Sequence, residues 1–408
     1  MSKILPSVAV EDVTMPAVEF GEGSTAGDDL ARDVYGLLGI SLDAVNFPGL
    51  LRAVEEAVAQ ASPFLISTPN VNFLINSQAN PGFRESILQS DTCLADGMPL
   101  IWIAKLLQVP INERIAGSDL FGRLKSGASR SRPIRVFLLG GADGVAEIVC
   151  KKLNAENCGL QCVGVLNPGF GTIEEMSAAP IIDAINASRP DLLAVFFGAQ
   201  KAQAWLMHNH HRLQASVRAQ FGATINFEAG TVKRAPLFIR STGFEWLWRI
   251  KEEPYLWRRY WSDGRALLKL MLTCVLPLMI EARLRRREPA ELSIKLQEGP
   301  NACTVHLRGD AVVQNIDRAI SQFRNALNGR KPLIVDLSDV RCIDSRMFGL
   351  LLMVKKTLAG RGMRLNFVGA SAELRRAFRL NRFEFLLSKE CDTDSSVGAS
   401  SLRPIAFR

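Results

Sequence analysis

From residue 34 to residue 240 the apolar positions change period repeatedly. Stretches with apolar residues three and four apart, the spacing of a helix with one buried face, alternate with apolar runs of four to six residues typical of buried strands. The runs at 64–67, 134–139, 161–165, 192–197 and 223–227 are predicted strands, and 144–153, 174–187 and 202–213 are predicted helices. Alternation of this kind predicts an α/β, Rossmann-like domain over 34–240. A charged, proline-containing linker at 286–291 separates it from a second periodic unit at 292–390. There, predicted strands at 302–307, 333–336 and 364–368 alternate with helices near 316–327, 347–359 and 373–380, a smaller α/β domain. Residues 1–33 read as a flexible leader and the serine-rich 391–408 as a disordered tail.

Composition narrows the class. At roughly 150 residues per domain, 408 residues fit two or three domains. With 48% hydrophobic and 22% charged residues the chain is globular, neither disordered nor collagen-like. Four His and eight scattered Cys give no zinc-ribbon spacing and no disulfide framework. Cys158 and Cys162, the one close pair, lack a CxxC partner, so free thiols in a reducing cytoplasm are expected. The first residues lack the apolar core and cleavage site of a signal peptide.

The formal charge of +8 is unevenly spread. Residues 240–288 hold 11 basic and 6 acidic residues, with four of the six Trp and two of the three Tyr, whereas 1–33 hold 2 basic and 7 acidic. Inside the basic stretch, 266–282 is the most apolar window, yet it is too short to span a bilayer and carries Lys269, Pro277 and Glu281. With arginines at 283 and 285–287 behind it, it suits an interfacial segment on anionic lipid, so 241–288 is read as a membrane-proximal appendage. A buried helix with a solvated basic tail is the plainer alternative.

Three motifs could carry chemistry. Thr68-Pro69-Asn70 follows the first predicted strand, so its side chains emerge at a strand's carboxyl end. Asp96, in Ala95-Asp96-Gly97-Met98-Pro99, suits a general base and equally a helix N-cap. Gly140-Gly141 closes a strand and opens a helix, where backbone amides can approach a phosphate, although a plain tight turn serves as well. The spacing is not GxGxxG and no acidic residue ends a second strand about 20 positions on to hold a ribose, which disfavours a nicotinamide-dependent oxidoreductase. Arginines interleaved with Trp and Tyr after residue 226 fit a diphosphate at a membrane, with single-stranded nucleic acid as the rival ligand.

At these residues a resemblance becomes specific. Residues 34–262 resemble the WecG/TagA/CpsF glycosyltransferases (glycosyltransferase family 26). The text that carries the likeness is Thr68-x-Asn70, Ala95-Asp96-Gly97, Arg114-x-x-Gly117-Ser-Asp119, Gly140-Gly141, Gly169-Phe-Gly171, Gly230-x-x-x-Arg234-Ala-Pro236, Glu245-Trp-Leu-Trp-Arg249, and Glu253-Pro254 with Arg258-Arg259. The resemblance implies inverting transfer of an N-acetylmannosamine-type sugar from a UDP donor to an undecaprenyl-diphosphate-linked acceptor, without a required metal or other cofactor. It implies Asp96 as the base for the acceptor hydroxyl, with Thr68 and Asn70 beside the donor sugar. Gly140, Gly141, Gln203 and Arg234 would complete the substrate site. Arg249, Arg258 and Arg259 would belong to an appendage closing over the diphosphates. Where the family has Gly-x-Pro-Lys-Gln-Glu, this chain has Gly198-Ala-Gln200-Lys201-Ala202-Gln203.

Residues 295–388 resemble a STAS domain, carried by Ile334-Val-Asp336-Leu-Ser338-x-Val340-x-x-Ile343-Asp344-Ser345 and Gly349-Leu-Leu-Leu352. Ser345, at a helix start, would be the phosphorylation site of such a module, or Asp344 or Ser345 a simple N-cap. Arg346 and Met347 stand where small residues are usual. Together these features predict a peripheral enzyme on the inner face of the cell membrane, making exopolysaccharide or surface glycan, with a protein partner through the STAS-like domain, room for homo-oligomers and no nucleic acid. The alternative is a non-catalytic protein that senses a sugar nucleotide.

Overall fold

The computed structural model describes residues 28–127, 132–156, 158–284 and 289–387. An antiparallel hairpin, β1 (Val34–Leu37) and β2 (Ile40–Asp43), opens the chain. Six parallel strands follow: β3 (Phe64–Ser67), β4 (Thr92–Cys93), β5 (Ile134–Gly140), β6 (Leu160–Leu166), β7 (Leu192–Phe196) and β8 (Val217–Gln220). They form one sheet in the order β4-β3-β8-β7-β5-β6. Every residue of β7 and β8 is buried, as parallel strands covered by helices on both faces require. One apolar cluster, with Val136, Leu138, Ala194 and Ala219, lies on one face of the sheet. Another, with Phe137, Leu193 and the fully buried Trp205, lies on the other.

The second unit has β9 (Ser293–Glu298), β10 (Cys303–Ala311), β11 (Leu333–Ile343) and β12 (Leu365–Val368) in the order β12-β11-β10-β9. Strand β9 pairs antiparallel with β10, while β11 runs parallel to both its neighbours. The helices Ile316–Asn328, Ser345–Ala359 and Ala372–Leu380 complete this smaller α/β domain.

Several expectations are corrected. Residues 223–227 are not a strand: Thr224–Ala229 is a helix, and the strand lies just before it at Val217–Gln220. That strand was hidden by Arg218, which is buried but spends its guanidinium on the carbonyls of His210, Leu213 and Ala215. The helix expected at 174–187 is broken: a short turn, Glu175–Ser177, precedes Ala179–Ala187, where Pro180 suits a first-turn position. The helix expected at 202–213 runs Ala199–His208.

Cys150 and Cys162, Cα atoms 5.2 Å apart, are joined as a disulfide, against the expectation of free thiols throughout. The helix Val145–Glu156 packs on the strand it leads into. Asn154 exchanges two hydrogen bonds with the Cys162 backbone, which brings the two sulfurs face to face. Residues 28–33 belong to the folded part rather than to a leader: Arg32 bonds both oxygens of Asp43, and Asp33 pairs with Arg346. Residues 1–27 and the tail 391–408 lie outside the described residues.

Candidate active site

The candidate residues converge at the carboxyl ends of the sheet. Thr68 leaves β3 almost fully buried, its hydroxyl receiving the Gln220 amide from the end of neighbouring β8 at 3.2 Å. Asn70 caps the helix Val71–Ala79, its Oδ1 accepting from the Phe73 N–H at 3.2 Å, which leaves its Nδ2 for other partners. Three loops are stitched together by backbone: Asp96 N–H donates to Pro69 O at 2.7 Å, and Ile115 N–H to Ala95 O at 3.0 Å.

Asp96 does not cap the following helix. Gly97 is the N-cap of Met98–Leu106, at φ +113°, a backbone that side chains rarely adopt, and no side chain bonds the first turn. The Asp96 carboxylate is therefore left for chemistry. Burial by the surrounding protein pushes its pKa up to about 7 from 3.8. Glu245 and Asp119 push the same way, while Arg114 and Arg249 pull it down.

Around it stands a cage of alternating charge. Asp119, in the first turn of the helix Gly117–Ser126, holds three guanidinium groups: Arg114 on Oδ2 at 2.7 Å, and Arg234 at 2.5 Å and Arg240 at 3.0 Å on Oδ1. Arg114 also reaches Glu245 at 2.9 Å, and Arg249 reaches Glu253 at 3.3 Å. Four arginines thus face four carboxylates once Asp96 is included. The Nε–H groups of Arg234, Arg240 and Arg249 are buried without an acceptor among the described residues. Donors left over in this way are costly alone and are what an anion would satisfy.

Gly140 and Gly141 end β5 at φ +91° and +95°. A Cβ on Gly140 would overlap the Phe197 ring, so only glycine lets β5 and β7 finish this closely. The connection after β5 turns toward β6 and that after β7 toward β8, making the gap between them a topological switch point, the usual crevice for a ligand in such sheets. Gln203 lies elsewhere. It is fully buried in the helix after β7, its amide donating to Ser67 Oγ (2.8 Å), Ser86 O (3.0 Å) and Ser90 Oγ (3.2 Å).

Arg258 and Arg259 are exposed on the helix Trp257–Leu270, over the rings of Trp257 and Tyr260. The structure therefore brings together Thr68, Asp96, Arg234 and Arg249, keeps Asn70 beside them, spends Gln203 on buried serines, and leaves Arg258 and Arg259 exposed on the appendage. Arg114, Asp119, Arg240 and Glu245 join the site without having been assigned a role from sequence. Three of them stand in the quoted motifs, but only folding brings residues 114–119 against 234–249.

The appendage is a run of helices ending in Trp257–Leu270, a π-helical turn Met271–Val275, and Leu276–Leu284. The widened turn precedes Pro277, which has no N–H to continue the ladder. Leu270, Cys274 and Val275 pack inward against the helices of the first domain. On the outside Trp257, Trp261, Leu268, Leu272, Leu276, Ile280 and Leu284 form an exposed apolar stripe, Trp261 being 65% and Leu284 78% exposed. One side of this segment is thus buried, and the other offers a large exposed apolar face. No helix among the described residues is long and apolar enough to cross a membrane.

Comparison with known proteins gives two family matches. Residues 35–279 match the Glycosyl transferase WecG/TagA/CpsF family, and residues 294–388 match the Mlab, STAS domain. Curated relatives similar to the chain include an N-acetylglucosaminyldiphosphoundecaprenol N-acetyl-beta-D-mannosaminyltransferase of Bacillus spizizenii. It is 28% identical over 197 residues, 48% of this chain and 74% of that protein. Enzymes with the same name from Bacillus subtilis and Staphylococcus aureus are each 24% identical, over 51% and 52% of this chain and 78% and 82% of their own.

Proposed function

The chain is a glycosyltransferase that belongs to the WecG/TagA/CpsF family, and from that premise we propose that it moves an N-acetylmannosamine-like sugar from a UDP donor to an undecaprenyl-diphosphate-linked acceptor, with inversion. The observation that carries this reading is Asp96: an uncommitted carboxyl at the carboxyl ends of β3 and β4, with its pKa raised to about 7 beside an arginine cage. A base poised near neutrality suits removal of a proton from a sugar hydroxyl. As that oxygen bonds to the anomeric carbon, its proton passes to Asp96. The bond from the anomeric carbon to the diphosphate breaks, and UDP leaves with the electron pair. The unused Nε–H groups of Arg234, Arg240 and Arg249 supply donors for the charge that develops on the leaving group. The names of the three relatives support the acceptor, since each specifies an undecaprenol diphosphate sugar.

The stripe of Trp257, Trp261 and the leucines supports a peripheral position on the inner face of the cell membrane, where such a lipid is reached, with Arg258 and Arg259 toward anionic headgroups. This fits a role in exopolysaccharide or surface-glycan assembly. A screen of UDP-sugars against a short-chain polyprenyl-diphosphate N-acetylglucosamine, read as UDP release and product mass, tests the proposal. Transfer by the wild type and its loss in Asp96→Asn is the expected pair of results. Near-normal transfer by Asp96→Asn, or no transfer from any UDP-sugar, would overturn it.

A further inference from the structure

The helix Ser345–Ala359 of the C-terminal domain is committed to the first domain along much of its length. At its start, Asp344 is the N-cap, accepting from Met347 N–H at 2.9 Å, so Ser345 is the first helical residue. Next to it Arg346, only 5% exposed, donates to Val34 O at 3.0 Å and Arg32 O at 3.2 Å and pairs with Asp33. One turn on, a Cβ on Gly349 would collide with the Val34 carbonyl. Opposite it, a Cβ on Gly36 would press into Phe348 and Phe383, so a glycine on each side lets helix and hairpin meet backbone to backbone. Two turns further, the buried Lys356 reaches Asp29 at 3.0 Å, and Ser90 O and Asp91 each at 3.2 Å. Beside it Lys355 pairs with Glu85 at 2.8 Å. Leu30, Val34 and Leu88 belong to the same apolar core as the C-terminal sheet.

From this interface the contacts run on to the catalytic strand. Arg32, whose carbonyl Arg346 binds, grips both oxygens of Asp43. Asp43 in turn accepts the Cys93 N–H at 2.7 Å, in β4, three residues before Asp96. Asp91, which Lys356 holds at the start of β4, accepts the Leu65 N–H of β3 at 2.8 Å.

We propose that the C-terminal domain is a permanent intramolecular clamp: the Ser345–Ala359 helix takes the chain's own β1–β2 hairpin as its partner and, through that hairpin, fixes the strand that leads to Asp96. An outside protein could bind this helix face only by expelling the hairpin. That would expose Leu30, Val34 and Leu88 and strand two buried cations without their acceptors. Docking stands on geometry alone. Positioning rests on the reading of Asp96 as the base.

A full-length chain with a protease site inserted between residues 286 and 288 tests docking. After complete cleavage the two fragments are expected to co-elute from a sizing column at low micromolar concentration in high salt, and two separate peaks overturn the clamp. Positioning is tested in the intact chain by Arg346→Gln, whose contacts are with Arg32, Asp33 and Val34 and not with the arginine cage. At a temperature where circular dichroism shows it folded, its kcat is expected to fall about tenfold, because small displacements of a catalytic group are costly, with donor KM within about twofold. Arg346→Lys should recover part of the loss. Should Arg346→Gln not fold, Lys356→Met carries the same measurement. An unchanged kcat in a folded variant overturns positioning, whereas a wild type without transfer indicts the proposed activity and leaves the co-elution result standing.

Discussion

Arg114 donates to Glu245 at 2.9 Å across 131 positions of sequence, tying the loop behind Asp96 to the first long helix of the appendage. Both side chains act on Asp96, with opposite sign. A base must be deprotonated to work, so transfer is expected to rise with pH through about 7 and level off above it. Removing the negative Glu245 with Glu245→Gln should ease ionisation of Asp96 and move the midpoint of kcat/KM to lower pH. Arg114→Gln should move it to higher pH. pH–rate profiles of the three proteins decide the matter, and coincident midpoints would remove Asp96 as the titrating group.

Asp96 is also expected to destabilise the protein that uses it. Its folded pKa, about 7, lies above the 3.8 of the unfolded chain. The folded state therefore holds the proton more tightly, and its advantage is complete below pH 3.8 and lost as pH rises through 7. Asp96→Asn carries no such burden. At pH 8 it should unfold later than wild type, by on the order of 1–3 kcal/mol, while losing about a hundredfold or more in transfer. Denaturant melts at pH 5 and pH 8 should show a gap already open at pH 5, between the two pKa values, and wider at pH 8; a constant gap would contradict the raised pKa.

Much of the fold was legible because the physics of a doubly covered sheet is coarse. Strands β5 and β7 must be apolar on both faces, and apart from Arg135 near the start of β5 their sequences are. What escaped notice follows from compensation inside the fold. Strand β8 carries Arg218 and Gln220, polar side chains whose burial is tolerable only because carbonyls of the loop just before the strand receive the first and Thr68 the second. The β1–β2 hairpin turns through Leu38 at φ +47° and Gly39, and leucine is not a residue that announces such a turn. Strand β9 is a mostly polar edge. In the site, Asp96 could be singled out beside Gly97 as a base or an N-cap, but the two-residue strand β4 that leads to it was too short to predict. The cage could not be singled out, because Asp119 gains its meaning only when Arg234 and Arg240 fold back onto it.

The apolar stripe leads to a prediction about membranes. Leu272 and Trp261 are 58% and 65% exposed on the face opposite the buried Leu270 and Cys274. Placing a charge there should cost little stability, since neither side chain is in the core, but should oppose insertion among lipid chains. Trp261→Glu with Leu272→Glu is expected to lower binding to anionic vesicles about tenfold or more, with the melting temperature nearly unchanged. Flotation of the double variant at wild-type levels would place the membrane contact elsewhere.

Gln203 occupies the position of the glutamate in the family's loop, and the interior of this chain is matched to the amide. Its Nε2 donates to two hydroxyls and to the Ser86 carbonyl, all fully buried, whereas its Oε1 has no partner among the described residues. A carboxylate cannot donate. In Gln203→Glu the Ser86 carbonyl would face a negative oxygen, and the charge would have to be buried or neutralised by raising its own pKa. The expected result is a loss of about 2–4 kcal/mol at pH 8, shrinking as the pH falls and the new carboxyl protonates. Urea melts at pH 5.5 and pH 8 measure it. Restored stability at pH 5.5 points to burial of charge as the cause. A variant as stable as wild type at pH 8 would mean that the Ser67–Ser90 pocket rearranges to admit an acid, and that the residue at this position is open to exchange.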